Sequence, residues 1–185
     1  MMENVGITGF DNNKPNEDVR NITVHIASCG SICEPNSKPV ITCLTYRSPE
    51  VYYEKAWGRS TDIWSWGIIF AQLLLAQRDF SSPGMYDAIR TGPYDDVTQV
   101  LRERMAGDFD LFSIPFFTEG DPSYLQPLRR PKAIDRHRWI GDLQQKGIEL
   151  VNVQFLVIVL KPHPEARPTA NDILECEYLN LPVAL

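Results

Sequence analysis

The chain has 185 residues and a net charge of −6, so it has no basic surplus with which to bind nucleic-acid phosphates non-specifically. Apolar residues make up 43% and charged residues 23%, as in an ordinary globular domain or one lobe of a larger protein. The longest apolar run, Phe155–Leu160, is too short to span a membrane.

Nothing in the N-terminal stretch or the cysteine spacing indicates secretion or zinc binding. The first residues have no apolar signal-peptide core, and the four cysteines form no CxxC pair. We therefore expect an intracellular protein, cytoplasmic or nuclear, with reduced thiols and no membrane or nucleic-acid partner.

The N-terminal part is predicted to contain little regular structure. Residues 1–20 are polar and rich in asparagine, which favours a loosely held leader. Ile22, Val24 and Ile26 then alternate with polar residues, and this alternation predicts a short, half-buried β-strand.

A long apolar helix is predicted next, at the centre of the domain. Ser60 or Thr61 is a suitable N-cap, and Asp62 lies in the first turn, where a carboxylate complements the helix dipole. Residues 63–75 place apolar side chains on every face, so we expect this helix to be buried all round.

The remaining pattern is also helical and completes a mainly α fold. Val97, Val100, Leu101 and Met105 form one apolar stripe that should end at Gly107. Residues 139–160 predict two helical pieces that separate near Gly147, and Thr169 should cap a final helix over residues 170–179.

One stretch is strongly basic. Residues 128–139 carry Arg129, Arg130, Lys132, Arg136 and Arg138, interrupted by a proline. We interpret it as a solvated loop, with a docking patch for an acidic partner as the alternative.

Three short motifs resemble the C-terminal lobe of eukaryotic protein kinases. Ser48-Pro49-Glu50 is followed after eleven residues by Asp62-Ile-Trp64-Ser-Trp-Gly67, and His163-Pro-Glu-Ala-Arg167-Pro comes far downstream. Their order and spacing match the Ala-Pro-Glu element, the start of the central helix and the late arginine of that family. The resemblance covers about residues 22–179 and implies that residues 21–185 form the lower lobe of the kinase fold.

The resemblance implies structural roles for the motif residues. Glu50 matches the glutamate that pairs with the late arginine, here Arg167, whereas without the motifs the two could be unrelated surface charges. Asp62 matches a buried aspartate that holds the backbone of the catalytic loop, with a partnerless helix-start residue as the alternative. Trp64 and Gly67 belong to the same framework.

The metal-binding loop of the family is altered here. Ser28, Cys29 and Gly30 stand where the family has Asp-Phe-Gly, and only the glycine is kept. In the family this aspartate holds Mg²⁺ against the ATP phosphates. Since Mg²⁺ prefers anionic oxygen ligands, the Ser28 hydroxyl is a poor replacement.

The segment before Ser48 resembles the loop on which a substrate peptide lies. Cys43, Leu44, Thr45 and Tyr46 occupy that position, with Cys43 in place of the usual threonine. The hydroxyl groups nearby could accept phosphate, but structural loop residues are the preferred interpretation.

Other catalytic parts of the family are not found. These 185 residues contain no Gly-rich loop and no strand lysine of the family type. Asp11, Lys14, Pro15 and Asn16 weakly resemble a degenerate catalytic loop, although the Asp-to-Lys spacing is one residue too long. A plain polar leader is the alternative.

The implied activity is transfer of the ATP γ-phosphoryl group to a protein serine or threonine, with Mg²⁺. We assign no catalytic residue, expect no bound metal or cofactor for this chain alone, and predict that it is inactive by itself. It would be a truncated piece or a pseudokinase, and Ser28 favours the latter. A helical interaction protein with chance motif matches remains the alternative, and it predicts that Glu50 and Arg167 lie far apart. In each case the partner is a protein.

Overall fold

The structure, a computed structural model, describes residues 5–9, 13, 22–26, 32–37, 40–89, 94–119 and 136–180. These residues are mainly helical, as the sequence pattern predicts, and they include one two-stranded sheet. The strands are β1 (Val5–Thr8) and β2 (Thr23–Ile26). The α-helices are α1 (Pro49–Tyr52), α2 (Ser60–Arg78), α3 (Tyr94–Asp108), α4 (Pro115–Thr118), α5 (Arg138–Gln145), α6 (Leu150–Val159), α7 (Ala170–Glu175) and α8 (Glu177–Asn180).

The two strands form an antiparallel ribbon in which Val5 pairs with Ile26 and Thr8 with Thr23. Strand β2 confirms the strand prediction, but β1 lies inside the stretch that was predicted as an irregular leader. The prediction of a half-buried strand is wrong for Val24, which is exposed. Alternation of apolar and polar residues indicates an extended backbone, but it does not show whether another element covers the apolar face.

Helix α2 runs through the core. More of its residues are buried near its middle than near either end. The buried residues of α2 are Thr61, Trp64, Gly67, Ile68, Ala71, Leu74 and Leu75. The expectation that it is buried on every face is wrong for Leu73, which is exposed. The predicted N-caps are also wrong, since Arg59 occupies the cap position and both Ser60 and Thr61 lie inside the helix.

The helices around α2 follow the predicted pattern with small differences. Val97, Leu101 and Met105 of α3 are buried, whereas Val100 is exposed. Helix α3 continues through Gly107 to Asp108 instead of ending at the glycine. No helix among the described residues is both long and apolar enough to cross a membrane.

The C-terminal helices begin and end close to the predicted positions. Gly147, with φ +82°, separates α5 from α6 in a backbone conformation that favours glycine. Thr169 caps α7 as predicted, and its hydroxyl accepts a hydrogen bond from the Asp172 backbone N–H at 3.2 Å. The predicted final helix is two helices, because Cys176 adopts an extended conformation between α7 and α8.

Gly67 allows α2 to approach the end of α6 closely. A Cβ atom at this position would lie 2.8 Å from side-chain atoms of both Val159 and Leu160, which are themselves buried. We therefore expect Gly67→Ala to lower the free energy of unfolding by about 1–3 kcal/mol, since the packed neighbours have little room to move. Denaturant unfolding measures this change.

Gly141→Ala is the matched control for that substitution. Gly141 also lies in a helix, but a Cβ there would meet no atom within 4 Å. Removing a helical glycine without a clash should stabilise the protein by about 0.5–1 kcal/mol. Equal effects of the two substitutions would contradict the close approach of α2 and α6.

Candidate functional site

A fully buried ion pair joins Glu50 and Arg167. The two guanidinium NH₂ groups donate to the two carboxylate oxygens, each at 2.7 Å, and both side chains have 0% exposure. This two-pronged geometry is the strongest arrangement available to an arginine and a carboxylate. The pair predicted from the sequence is therefore present, contrary to the separated charges that chance motif matches predict.

Every donor group of the Arg167 guanidinium is used. Its Nε donates to the carbonyl of Lys161 at 2.7 Å, and Nη1 and Nη2 donate to the carbonyls of Ser60 and Pro162, each at 2.9 Å. With the two bonds to Glu50, these account for the five N–H groups that arginine carries. A buried charge is tolerable only when it is paired and hydrogen-bonded in this way.

The Trp64 ring lies against the Arg167 guanidinium and forms one wall of the ion-pair site. The guanidinium carbon of Arg167 lies 5.0 Å from the centroid of the Trp64 ring, within cation–π range. The indole Nε1 is buried without a hydrogen-bond partner among the described residues. Trp64 thus contributes its ring face and volume to the site and makes no polar contact there.

Thr61 donates a further hydrogen bond to the Glu50 carboxylate. Its hydroxyl donates to Glu50 Oε1 at 2.9 Å, and the Ser48 hydroxyl donates to Thr61 Oγ1 at 3.4 Å. The sequence suggested Thr61 as an N-cap, but its hydroxyl is bonded to a side chain instead. No sequence signal separates these two uses, since both place a threonine at the start of a helix.

The site joins three segments that are distant in the sequence. Glu50 lies in the first turn of α1, which Pro49 begins with its fixed φ, Ser60 starts α2, and Arg167 precedes α7. Contacts among them span up to 117 residues. The arrangement therefore fixes the relative position of these three segments.

Asp62 is more exposed than the family resemblance implied. Its side chain is exposed, and no hydrogen bond to its carboxylate is present within the described part of the chain. Partial burial nevertheless raises the pKa of Asp62 above its ordinary value. The loop that it was expected to hold falls outside the described residues, so that predicted contact stays a prediction.

We expect Asp62→Ala to change the free energy of unfolding by less than about 1 kcal/mol. The loss is limited to the interaction of an exposed carboxylate with the N-terminus of α2. Chemical denaturation beside Glu50→Ala measures the contrast. A loss as large as that of Glu50→Ala would restore the original interpretation of Asp62 as a buried structural anchor.

The predicted peptide-binding segment is held tightly against α2. Residues Leu44–Tyr46 form a short 3-10 helix in which Thr45 is buried, while Cys43 just before it is exposed. The Tyr46 hydroxyl donates to Gln72 Oε1, and Ser65 Oγ donates to the Tyr46 carbonyl, both at 2.9 Å. Of the four residues predicted to meet a peptide, Cys43 is the most accessible.

Arg47 is a positioning residue that the sequence analysis did not identify. It is buried, and its guanidinium donates to the carbonyls of Ile41 at 3.1 Å and Thr42 at 3.0 Å. Its cation lies 5.1 Å from the Tyr52 ring, whose hydroxyl donates to the Leu44 carbonyl at 2.6 Å. The sequence feature that could have indicated Arg47 is its position directly before Ser48-Pro49-Glu50.

Ser28, Cys29 and Gly30 lie outside the described residues, as do Asp11, Lys14, Pro15 and Asn16. Within the described ranges, no group of three or more histidine, cysteine, aspartate or glutamate side chains could hold a metal ion.

A second polar cluster lies between α3 and α5. Arg104 bonds Asp108 at 2.8 Å and Asp142 at 3.0 Å, and the Tyr86 hydroxyl donates to Asp108 at 3.3 Å. Burial raises the pKa of Asp108, while Arg104 opposes that rise. Arg138 of the basic stretch also pairs with Asp142, at 3.6 Å. These charges satisfy one another, which is typical of a structural network.

A scan against protein-family models finds no match for this chain, and a comparison with curated proteins finds none either.

Proposed function

We propose that this chain is a protein-kinase-like C-terminal lobe that keeps the structural framework of the family and is inactive alone. The observation that carries this proposal is the buried Glu50–Arg167 pair, which joins the first and third motifs and lies against Trp64 of the second. A chance match of short motifs gives no reason for these particular residues to meet. This buried contact supports the proposal beyond the spacing of the motifs.

The same framework supports a surface for a protein segment. The pair anchors α1 to the start of α2, Tyr46 is bonded to Gln72 and Ser65 of α2, and the Tyr52 hydroxyl of α1 donates to the Leu44 carbonyl. In the family this surface positions a peptide hydroxyl for phosphorylation of serine or threonine. The retained function here is to hold a protein partner in place.

The chemistry of phosphoryl transfer requires more than this surface. Because the reaction depends on positioning and charge neutralisation, it needs a phosphate cradle, a metal ligand and a base together. The 185 residues contain none of the three in intact form, and Ser28 replaces the metal-binding aspartate. ATP and Mg²⁺ are thus ligands of the family and not of this chain by itself.

A titration with a fluorescent ATP analogue and Mg²⁺ tests the proposal. We expect the purified chain to show no saturable binding at micromolar concentrations and no transfer of labelled phosphate to itself or to a generic protein substrate. An active serine/threonine kinase, run in parallel, shows that the assay detects both events. Micromolar, Mg²⁺-dependent binding by this chain would overturn the claim that it is inactive alone.

A pseudokinase-derived interaction module is the second candidate. Ser28 favours it, because loss of the metal ligand is a substitution that truncation does not explain. Both candidates share the framework and differ in whether a nucleotide lobe elsewhere completes the site. Measuring the binding of ATP and Mg²⁺ by a longer gene product separates the two candidates.

A further inference from the structure

Helices α6, α7 and α8 enclose an open groove of about 360 Å³, which we name the α6–α8 groove. Its lining from α6 consists of Val151, Gln154, Phe155 and Ile158. Its opposite side is formed by Pro168, Asp172, Ile173, Cys176, Glu177 and Tyr178. It lies outside the Glu50–Arg167 site.

The groove exposes apolar side chains at helical spacing. Val151 is 43% and Ile158 is 53% exposed, and the two are separated by seven residues along α6. Seven residues correspond to about two helical turns, or roughly 10 Å. This is the spacing at which an amphipathic helix presents its own anchor residues.

The floor of the groove is preformed. The rings of Phe155 and Tyr178 are stacked, with 4.0 Å between their centroids, and the Tyr178 hydroxyl donates to Asn152 Oδ1. Phe70 of α2 packs edge-on against both rings, with centroid separations of 5.7 and 6.1 Å. A ligand would therefore meet an ordered aromatic floor without first having to form it.

The rim of the groove is acidic. Asp172 of α7 and Glu177 of α8 are exposed carboxylates that line the groove, and these two helices carry no lysine or arginine. Hydrogen bonds from Thr169 lower the pKa of Asp172, so its negative charge persists near neutral pH. Lys161 is the one exposed cation in residues 150–180, because Arg167 is buried.

We propose that the α6–α8 groove binds an amphipathic helix of a partner protein, with apolar anchors two turns apart and lysine or arginine beside them. The apolar centre matches the anchors, and the acidic rim matches the flanking cations. An anionic membrane surface would be repelled by the same rim. A symmetric dimer through this face would bring two acidic rims together.

The groove would give an interaction module its class of partner, and it depends on α6–α8 and not on the kinase-like assignment. The two proposals fail separately, because the nucleotide titration reports on the family assignment and a helix-binding assay reports on the groove.

A synthetic Leu/Lys peptide of about 14 residues, with leucines at helical spacing, is the probe for this groove. We expect saturable binding to the full chain, detected by fluorescence anisotropy, with chemical-shift changes centred on Val151 and Ile158. Ile158→Glu should weaken binding by about tenfold or more, because it places a charge among the anchors. Glu177→Lys should weaken binding to the basic peptide and reduce its salt dependence.

Val100→Glu is the matched control, since Val100 is a 48% exposed aliphatic residue on α3. It should leave binding unchanged, and circular dichroism should show native helix content for each variant. A Leu/Glu peptide of the same pattern should bind more weakly than the Leu/Lys peptide. Binding unaffected by Ile158→Glu, equal binding of both peptides, or a dimer in sedimentation that Ile158→Glu abolishes would each overturn the proposal.

Discussion

Arg167→Ala is expected to lower the free energy of unfolding by about 3–5 kcal/mol, because it leaves the Glu50 carboxylate buried without its partner. The substitution removes five donor contacts, including those to the carbonyls of Lys161, Ser60 and Pro162. The remaining charge would keep only the hydrogen bond from Thr61. Urea denaturation followed by circular dichroism measures the change.

Arg78→Ala is the matched control for loss of an arginine ion pair. Arg78 bonds Glu149 at 3.0 Å, but the two side chains are 52% and 66% exposed. Water screens such a pair, so its removal should cost no more than about 1 kcal/mol. Similar losses for the two variants would show that the Arg167 pair is not buried in solution.

The double variant Glu50→Ala/Arg167→Ala isolates the interaction itself. It should be more stable than the sum of the single losses predicts, because no charge remains buried and unpaired. Strict additivity of the two single losses would contradict the direct contact. These three measurements also test the observation on which the kinase-like proposal rests.

Trp64→Ala is expected to lower the free energy of unfolding by about 3–5 kcal/mol through a large internal cavity. Trp64 has 0% exposure, and its ring centroid lies 4.7 Å from that of Phe109 in an edge-to-face contact. The Arg167 cation would also lose the aromatic face beside it. Thermal unfolding and denaturant titration both measure this loss.

Two further variants show whether volume or the indole N–H matters. Trp64→Phe should cost clearly less than Trp64→Ala, since the Nε1 group that it removes has no partner among the described residues. Phe80→Ala is the exposed aromatic control, and at 93% exposure it should change stability by no more than about 0.5 kcal/mol. If Trp64→Phe is as harmful as Trp64→Ala, the Nε1 group has a role that packing does not explain.

The Glu50–Arg167 pair is a long-range contact that sequence motifs were able to predict. Two residues 117 positions apart have no local signal that links them, and only the family resemblance predicted their contact. The carbonyl acceptors around Arg167 could not be predicted, because they depend on the exact path of the backbone between Lys161 and Arg167. The same limit applies to Arg47, whose partners are also carbonyls.

The two wrong predictions at the start of α2 have a common physical origin. Thr61 was predicted to be a helix cap, but its hydroxyl donates a hydrogen bond to Glu50. Asp62 was expected to be buried, but it is exposed. Adjacent residues at the start of α2 point in different directions, about 100° apart around the helix. Which of them faces the core depends on the rotation of α2 against α1 and α6, and no local pattern encodes that rotation.

The mainly helical class, the central helix and the break at Gly147 could be predicted from local patterns, since apolar periodicity and glycine are local properties of the chain. Which charges are buried, which faces stay open and where the α6–α8 groove lies depend on the folded arrangement. Burial and electrostatic pairing depend on the packing of distant segments. For that reason the Glu50–Arg167 site is explained fully only by its contacts in the folded chain.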